Sequence, residues 1–353
     1  MKICSVIRGM LLVVCWACPI TAFAADTITG KVRNETTRQP AAGDDVVLLR
    51  LENGMEEEAR TRTDAEGAFV LPLSVANARH VVRVMHQGVN YDQNLSGNGP
   101  LEIAVFNAIP HLKNLQGSIG MAQIESDGQT LKITEMYSII NDSVPPMTQS
   151  GPRNFEISIS PAATLDALVV KKGGGVWVNV TPAPMKGQRG RYAVDFPIRP
   201  GDTLFKFAYH LPYAGRTTLH VRLAYPIKSF AVMHPPSMSF KSSRPQAFTS
   251  PGLAQGLRVE QVVSKPVVRD VPAFEISGIG LAPSPTQAAK ASPALGSSNA
   301  VGSPTPAASA NRSPTSQGRP ENGMWAILTG IAVLVAASLY AVWKRRKRAL
   351  SGS

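Results

Sequence analysis

The sequence predicts an all-β protein: two β-sandwich domains, then a disordered Pro/Ala/Ser linker and one transmembrane α-helix. Three observations carry this reading. Between Asp26 and Gly280 apolar residues recur at every second position. Glycine and proline interrupt that region too often for long helices. A low-complexity stretch then separates it from a single charge-free apolar run near the C-terminus.

In chain order, residues 1–24 read as a signal peptide. A basic start (Lys2, Arg8) leads into an apolar run from Met10 to Ile20, and Ala22 and Ala24 flank Phe23 in the A-x-A arrangement that signal peptidase reads. Cleavage between Ala24 and Ala25 is the expectation, because the run is too short to span a hydrocarbon core of about 20 residues. Cys4, Cys15 and Cys18 all lie in this segment. The exported chain therefore has no cysteine for a disulfide, a thiolate metal site or a nucleophile.

The first domain, 25–109, shows a distinctive order of short motifs: Gly30-Lys31-Val32, Val46-Val47-Leu48-Leu49, Thr63-Asp64-Ala65-Glu66-Gly67-Ala68-Phe69, and His80-Val81-Val82-Arg83-Val84. In the third, the Asp64 side chain can cap turn N–H groups, Gly67 can take positive φ, and Phe69 enters the core as the next strand begins. This order resembles the carboxypeptidase regulatory-like domain family, a transthyretin-like, carbohydrate-binding-like sandwich of exported bacterial proteins. The sequence departs from the family at Asp44-Asp45, where a small residue is usual. The resemblance implies a recognition module with no catalytic residues. Some relatives bind glycans, and Tyr91 is the aromatic left for that role once Phe69 and Phe106 are placed in apolar strand positions. Another branch cross-links Lys to Asn beside a Glu. Lys31, Asn107 and Glu102 match those residue types, but Lys31 is expected to face solvent.

The second domain, 110–280, continues the two-residue period. Phe155, Ile157 and Ile159 alternate with polar residues, as do Tyr192, Val194 and Phe196, and Leu219, Val221, Leu223 and Tyr225. Asp127-Gly128 predicts a type I′ hairpin. Lys171-Lys172-Gly173-Gly174-Gly175 lacks the Gly-Lys-Ser/Thr ending of a phosphate loop and reads as a hairpin tip. Trp177 beside that tip is the candidate exposed contact residue. Ala273 to Ser277 is expected as a closing edge strand.

The linker, 281–322, has almost no large apolar side chain and cannot offset its ordering entropy by burial. The transmembrane helix, 323–343, includes 20 uncharged residues from Met324 to Trp343, enough at about 1.5 Å each to span about 30 Å. Trp325, Tyr340 and Trp343 suit its interfaces. Lys344, Arg345, Arg346, Lys347 and Arg348 form a stop-transfer cluster that keeps the tail, 344–353, cytoplasmic. Of the net charge of +12, two units lie in the signal peptide and five in this cluster, leaving +5 for the exported part. That dispersed excess excludes a nucleic-acid role.

No cofactor or metal is expected: the six histidines, at 80, 86, 111, 210, 220 and 234, show no His-Glu-x-x-His and no helical pairing, and read as surface residues. Asp44-Asp45 and Glu56-Glu57-Glu58 read as turn and solvated-strand charges, and no Gly-x-Ser-x-Gly elbow occurs. The expected protein is a non-catalytic, single-pass adaptor of the bacterial inner membrane, its sandwiches extracytoplasmic and its partner an envelope protein. The alternatives are a glycan or peptidoglycan binder and an accessory subunit of an envelope enzyme. Ala332, Ala336, Ala337 and Ala341 would permit helix self-association.

Overall fold

The computed structural model describes residues 26–283, except 53, 76–77 and 96–98. Apart from one 3-10 turn at Pro245–Ala247, all its regular structure is β. Among the described residues no helix is long and apolar enough to cross a membrane. The expected signal peptide with Ala24 and Ala25, the linker from 284 on, the helix at 323–343 and the basic cluster Lys344 to Arg348 lie outside the described residues.

The chain divides into two compact units between Val105 and Phe106. The first contains β1 (Thr27–Asn34), β2 (Gln39–Pro40), β3 (Asp45–Arg50), β4 (Glu56–Arg62), β5 (Ala68–Pro72), β6 (His80–His86), β7 (Val89–Asn94) and β8 (Leu101–Val105). β1 is the hub of one sheet, antiparallel to β2 and β5 and parallel to β8. The other sheet runs β4-β3-β6-β7, antiparallel throughout. Strict alternation along β1 turns Ile28, Gly30, Val32 and Asn34 inward and Lys31 outward.

The motif residues explain this packing. Gly30 stands opposite both Phe69 of β5 and Leu101 of β8. A Cβ added there would lie 2.6 Å from the Phe69 ring and 2.6 Å from the Leu101 carbonyl oxygen, so only glycine lets the ring settle over β1. Before Phe69, the Asp64 carboxylate accepts from the Glu66 and Ala68 N–H groups at 3.1 and 2.7 Å, and Gly67 has φ +73°. Lys31 and Glu102 pair across β1 and β8 but both face solvent.

Two histidines of this unit are buried, which corrects the expectation of surface histidines. His80 and His86 share the inward rows of β6, where 3.3 Å per residue keeps them about 20 Å apart. Each draws in a carboxylate. Glu58 accepts from the His80 ring at 2.9 Å and from the Ser74 N–H, while His86 Nδ1 lies 2.8 Å from Asp44. Glu58 and Asp44 are thus half-buried partners rather than solvated charges.

The second unit contains β9 (Ala108–Ile109), β10 (Gln116–Ser126), β11 (Thr130–Asn141), β12 (Thr148–Gln149), β13 (Phe155–Ser158), β14 (Thr164–Lys172), β15 (Val178–Asn179) and β16 (Ala183–Pro184). It continues with β17 (Arg191–Val194), β18 (Gly201–Pro212), β19 (Arg216–Leu219), β20 (Ile227–His234), β21 (Ser239–Ser242), β22 (Thr249–Ala254), β23 (Leu257–Val268) and β24 (Phe274–Ser277). Eight strands form one large sheet in the order β15-β14-β18-β11-β10-β20-β23-β22. Two three-stranded sheets, β13-β17-β16 and β19-β24-β21, share its core. Phe155 of β13 stacks on Phe205 of β18, centroids 4.2 Å apart and planes at 8°. Phe274 and Ile276 of β24 are fully enclosed in the same core.

Three expectations for this unit are corrected. β24 is the central strand of its sheet, held by β19 and β21, rather than an edge. The run from Leu219 to Tyr225 pairs only as far as Leu219, where the chain leaves β24. The β10–β11 hairpin forms at Asp127-Gly128, but only Gly128 takes positive φ, which a type I′ turn does not allow. The Asp127 side chain supplies the turn instead, accepting from the Gln129 and Thr130 N–H groups at 3.0 and 2.8 Å. His234 is also buried, stacked at 8° on Phe240.

One carboxylate lies in this apolar core. Glu135 of β11 is 3% exposed and accepts hydrogen bonds from the Tyr137 and Tyr209 hydroxyls at 2.5 and 2.8 Å. Burial pushes its pKa up to about 6, against the opposing pull of the two hydroxyls. A carboxyl whose pKa is raised on folding stabilises the fold most when protonated. That contribution is complete below the unfolded value near 4.5 and is lost as pH rises through about 6, a difference of about 2 kcal/mol.

Two outcomes follow for the chain in mild detergent, read by circular dichroism during urea unfolding. Gly30→Ala lowers stability by about 2 to 3 kcal/mol, since neither the Leu101 backbone nor the enclosed Phe69 ring can yield cheaply. Glu135→Gln keeps an acceptor for a tyrosine but removes the titration, so the wild type loses about 2 kcal/mol relative to this variant between pH 4.5 and 7.5.

Candidate functional site

Between the two smaller sheets of the second unit lies a cleft of about 990 Å³. One wall is β13 with the residues before it, Arg153 to Ser158, joined by Arg191 of β17. The facing wall is the extended segment His220 to Tyr225, which follows β19. Arg244 and the segment Arg269 to Ala273, leading into β24, complete the lining with His111.

Each wall is positioned by packing beneath it. Phe155 and Ile157 point into the core, which turns the Glu156 and Ser158 side chains outward. Val221, Leu223 and Tyr225 pack partly against the same core, leaving His220 and Arg222 exposed. A buried polar network fixes the corner where the walls meet. The fully buried Asn154 donates to the Asp195 carbonyl at 2.8 Å and accepts from the Gly151 N–H at 2.9 Å. Its own carbonyl accepts from the Tyr225 hydroxyl and the Gln149 amide. Gln149 also donates to the Tyr225 oxygen at 2.8 Å and accepts from the Leu112 N–H at 2.9 Å. Burial raises the pKa of Tyr225, which stays a neutral donor.

The lining is strongly one-signed. It holds five arginines, at 153, 191, 222, 244 and 269, against two carboxylates, Glu156 and Asp270, a net of three positive charges with the histidines neutral. Arg191 pairs with Glu156 and Arg244 with Asp270, both at 2.6 Å. Among the described residues no carboxylate lies within 4 Å of Arg153, Arg222 or Arg269. Arg191 Nε is a buried donor with no acceptor. Such an arrangement binds anions through charge-assisted hydrogen bonds. Among the described residues no group of three or more His, Cys, Asp or Glu is placed to hold a metal ion.

The structure does not bring the sequence-derived contact residues to this site. Tyr91 is 4% exposed, because it shares the inward row of β7 with Val89 while Asn90 and Asp92 face out. It is therefore a core residue rather than a platform. Trp177 does follow a hairpin tip, at Gly173 to Val176, but is only half-exposed. It packs against the Met121, Met136 and Met233 cluster, with Lys171 Nζ 5.9 Å from its ring centroid. The cleft arginines carry no signal in the sequence, because they come from well-separated segments with no shared spacing.

No family model matches the chain, and no curated protein does. Similar solved structures include the M1 zinc metallopeptidase from Deinococcus radiodurans, at 13% identity over 47% of this chain and 43% of that chain, with a TM-score of 0.29. Another is a mutant two-domain M1 zinc metallopeptidase bound to L-tryptophan, at 12% identity over 47% and 43%, with a TM-score of 0.31. The chain spans less than half the length of either. Overlap at this level carries nothing about activity.

The corner network has a direct test. Tyr225→Phe leaves the Asn154 carbonyl and the Gln149 amide short of a partner and lowers stability by about 1 to 3 kcal/mol, read as a fall of several degrees in Tm.

Proposed function

We propose that the chain is a non-catalytic, membrane-tethered recognition protein of the bacterial envelope, and that its second unit receives an acidic partner in the arginine-lined cleft. The observation behind this reading is the set of three arginines, Arg153, Arg222 and Arg269, that line one cleft with no carboxylate within 4 Å among the described residues. Arginines left in excess within a cleft focus positive potential there, which speeds capture of an oppositely charged ligand. The first unit is read as a carboxypeptidase regulatory-like sandwich that acts as a scaffold, in keeping with its Gly30–Phe69 packing and the Asp64 turn. The C-terminal apolar segment and its basic cluster serve as the anchor, so the cleft works outside the cytoplasm.

A neutral-glycan reading needs an open aromatic face. The burial of Tyr91 and the packing of the half-buried Trp177 against a methionine cluster count against it.

The test uses the full chain in nanodiscs of zwitterionic lipid as bait for solubilised envelope proteins. A partner is retained at low salt, released by about 0.5 M NaCl, and lost from the Arg153→Ala, Arg222→Ala, Arg269→Ala triple variant. Trp177→Ala retains it. Loss with Trp177→Ala and retention by the triple variant would falsify the assignment.

A further inference from the structure

The cleft also has a backbone, and its geometry narrows the class of partner. β13 is the outer strand of its sheet, paired on one side only, with β17. Just beyond its end, the Ile159 N–H donates to the Gly190 carbonyl at 2.8 Å, in continuation of the same register. Antiparallel pairing alternates, so the backbone groups of Phe155 and Ile157 also turn toward β17. Those of Glu156 and Ser158 turn the other way, into the cleft that both residues line. At Asn154, one residue before the strand, the carbonyl on the cleft side is already bonded by Tyr225 and Gln149.

The facing wall has the same character. The ladder between β19 and β24 ends at Leu219 opposite Phe274. His220 to Leu223 then runs on outside any ladder, in contact with the cleft. The unpaired edge of β13 and the stretch His220 to Leu223, outside any ladder, thus border one opening. The lining around them combines the partly buried Val221 and Leu223 with Arg153, Arg222 and Arg269.

Building on the recognition reading above, we propose that the partner enters this cleft as an extended acidic peptide segment, adding a strand to the free edge of β13. A strand of four residues matches an inserted segment of four or five, about 13 to 17 Å long. Main-chain hydrogen bonds to Glu156 and Ser158 supply affinity, and alternate side chains supply selection. Residues on one face of the segment meet the apolar side chains of the lining; residues on the other meet the arginines, whose planar forks suit carboxylates. The favoured ligand therefore alternates acidic with apolar residues. Residues 284–353 carry one acidic side chain, Glu321, against Lys290, Arg312, Arg319 and the five basic residues of the tail cluster, so that stretch does not match the favoured ligand. The segment belongs to another protein.

The experiment measures fluorescence anisotropy of labelled synthetic probes with the full chain in zwitterionic nanodiscs. The probes are an alternating Val-Glu hexapeptide, the same peptide N-methylated at alternate amides in each of the two phases, its Gln-for-Glu counterpart, and a sulfated polysaccharide. The acidic peptide is expected to bind. One N-methylated phase and the Gln counterpart each weaken binding by about tenfold or more, as does the triple arginine variant. Ser158→Pro removes an edge N–H without touching the β17 ladder and weakens the acidic peptide similarly. If that variant does not fold, the N-methylated probes decide alone. Equal binding of both N-methylated phases overturns strand addition but leaves an anion-recognising cleft. Binding of the polysaccharide without the peptide does the same. If neither anionic probe binds, the recognition reading falls as well.

Discussion

The stacking of Phe155 on Phe205, at 4.2 Å and nearly parallel, is the contact on which the second unit's architecture turns. It joins a three-stranded sheet to the largest sheet. Because strand side chains alternate, anchoring Phe155 and Ile157 inward dictates that Glu156 and Ser158 face outward. The same anchoring sets which backbone groups of β13 are consumed by β17 and which remain on the cleft side. A core contact thereby determines the chemistry of a surface. Tyr137 continues the aromatic layer, 5.7 Å from Phe155 and 6.0 Å from Phe207, so the site rests on interlocked rings rather than on a mobile loop.

Buried polar groups refine what the apolar packing begins. Residues 26–283 contain no cysteine, so specificity within the sandwich must come from noncovalent pairing. Asn154 and Gln149, 0% and 1% exposed, have partners for their amides and pin the chain entering β13 to the chain leaving the Tyr225 corner. Glu135 plays a comparable part inside the large sheet, where two tyrosine hydroxyls converge on its carboxylate. Removing any one member of such a group leaves the others without a partner, so substitution at these positions is costly.

Much of the fold was legible in the sequence because the pleat has a period of two. The rows Phe155, Ile157 and Ile159 were assigned to the correct face, and the Asp64-to-Phe69 turn forms as its residue types require. The failures have physical causes. Alternation says which face a residue joins but not whether that face is covered, so Tyr91 passed for an exposed ring. It also cannot say where a strand leaves its partner, so Leu219 to Tyr225 read as one ladder although pairing ends at Leu219. Histidine is polar by composition, yet His80 and His86 are buried, each paired with a carboxylate from a segment distant in sequence. The cleft was the least legible feature, because its charge is assembled by tertiary contacts among segments that share no motif.

An open strand edge invites indiscriminate pairing, and other edges of this chain are blunted against it. β2, β16 and β22 carry Pro40, Pro184 and Pro251, and β4 carries Glu56, Glu57, Arg60 and Arg62. β13 has no proline, but it is only four residues long and stands beside charges of mostly one sign. A second copy of the same cleft would bring its own arginines into repulsive contact, whereas an acidic segment would relieve them. The features that would select such a partner also discourage self-association. That coincidence is expected of an edge kept open for recognition: selectivity at a sheet edge requires excluding wrong strands as much as attracting the right one.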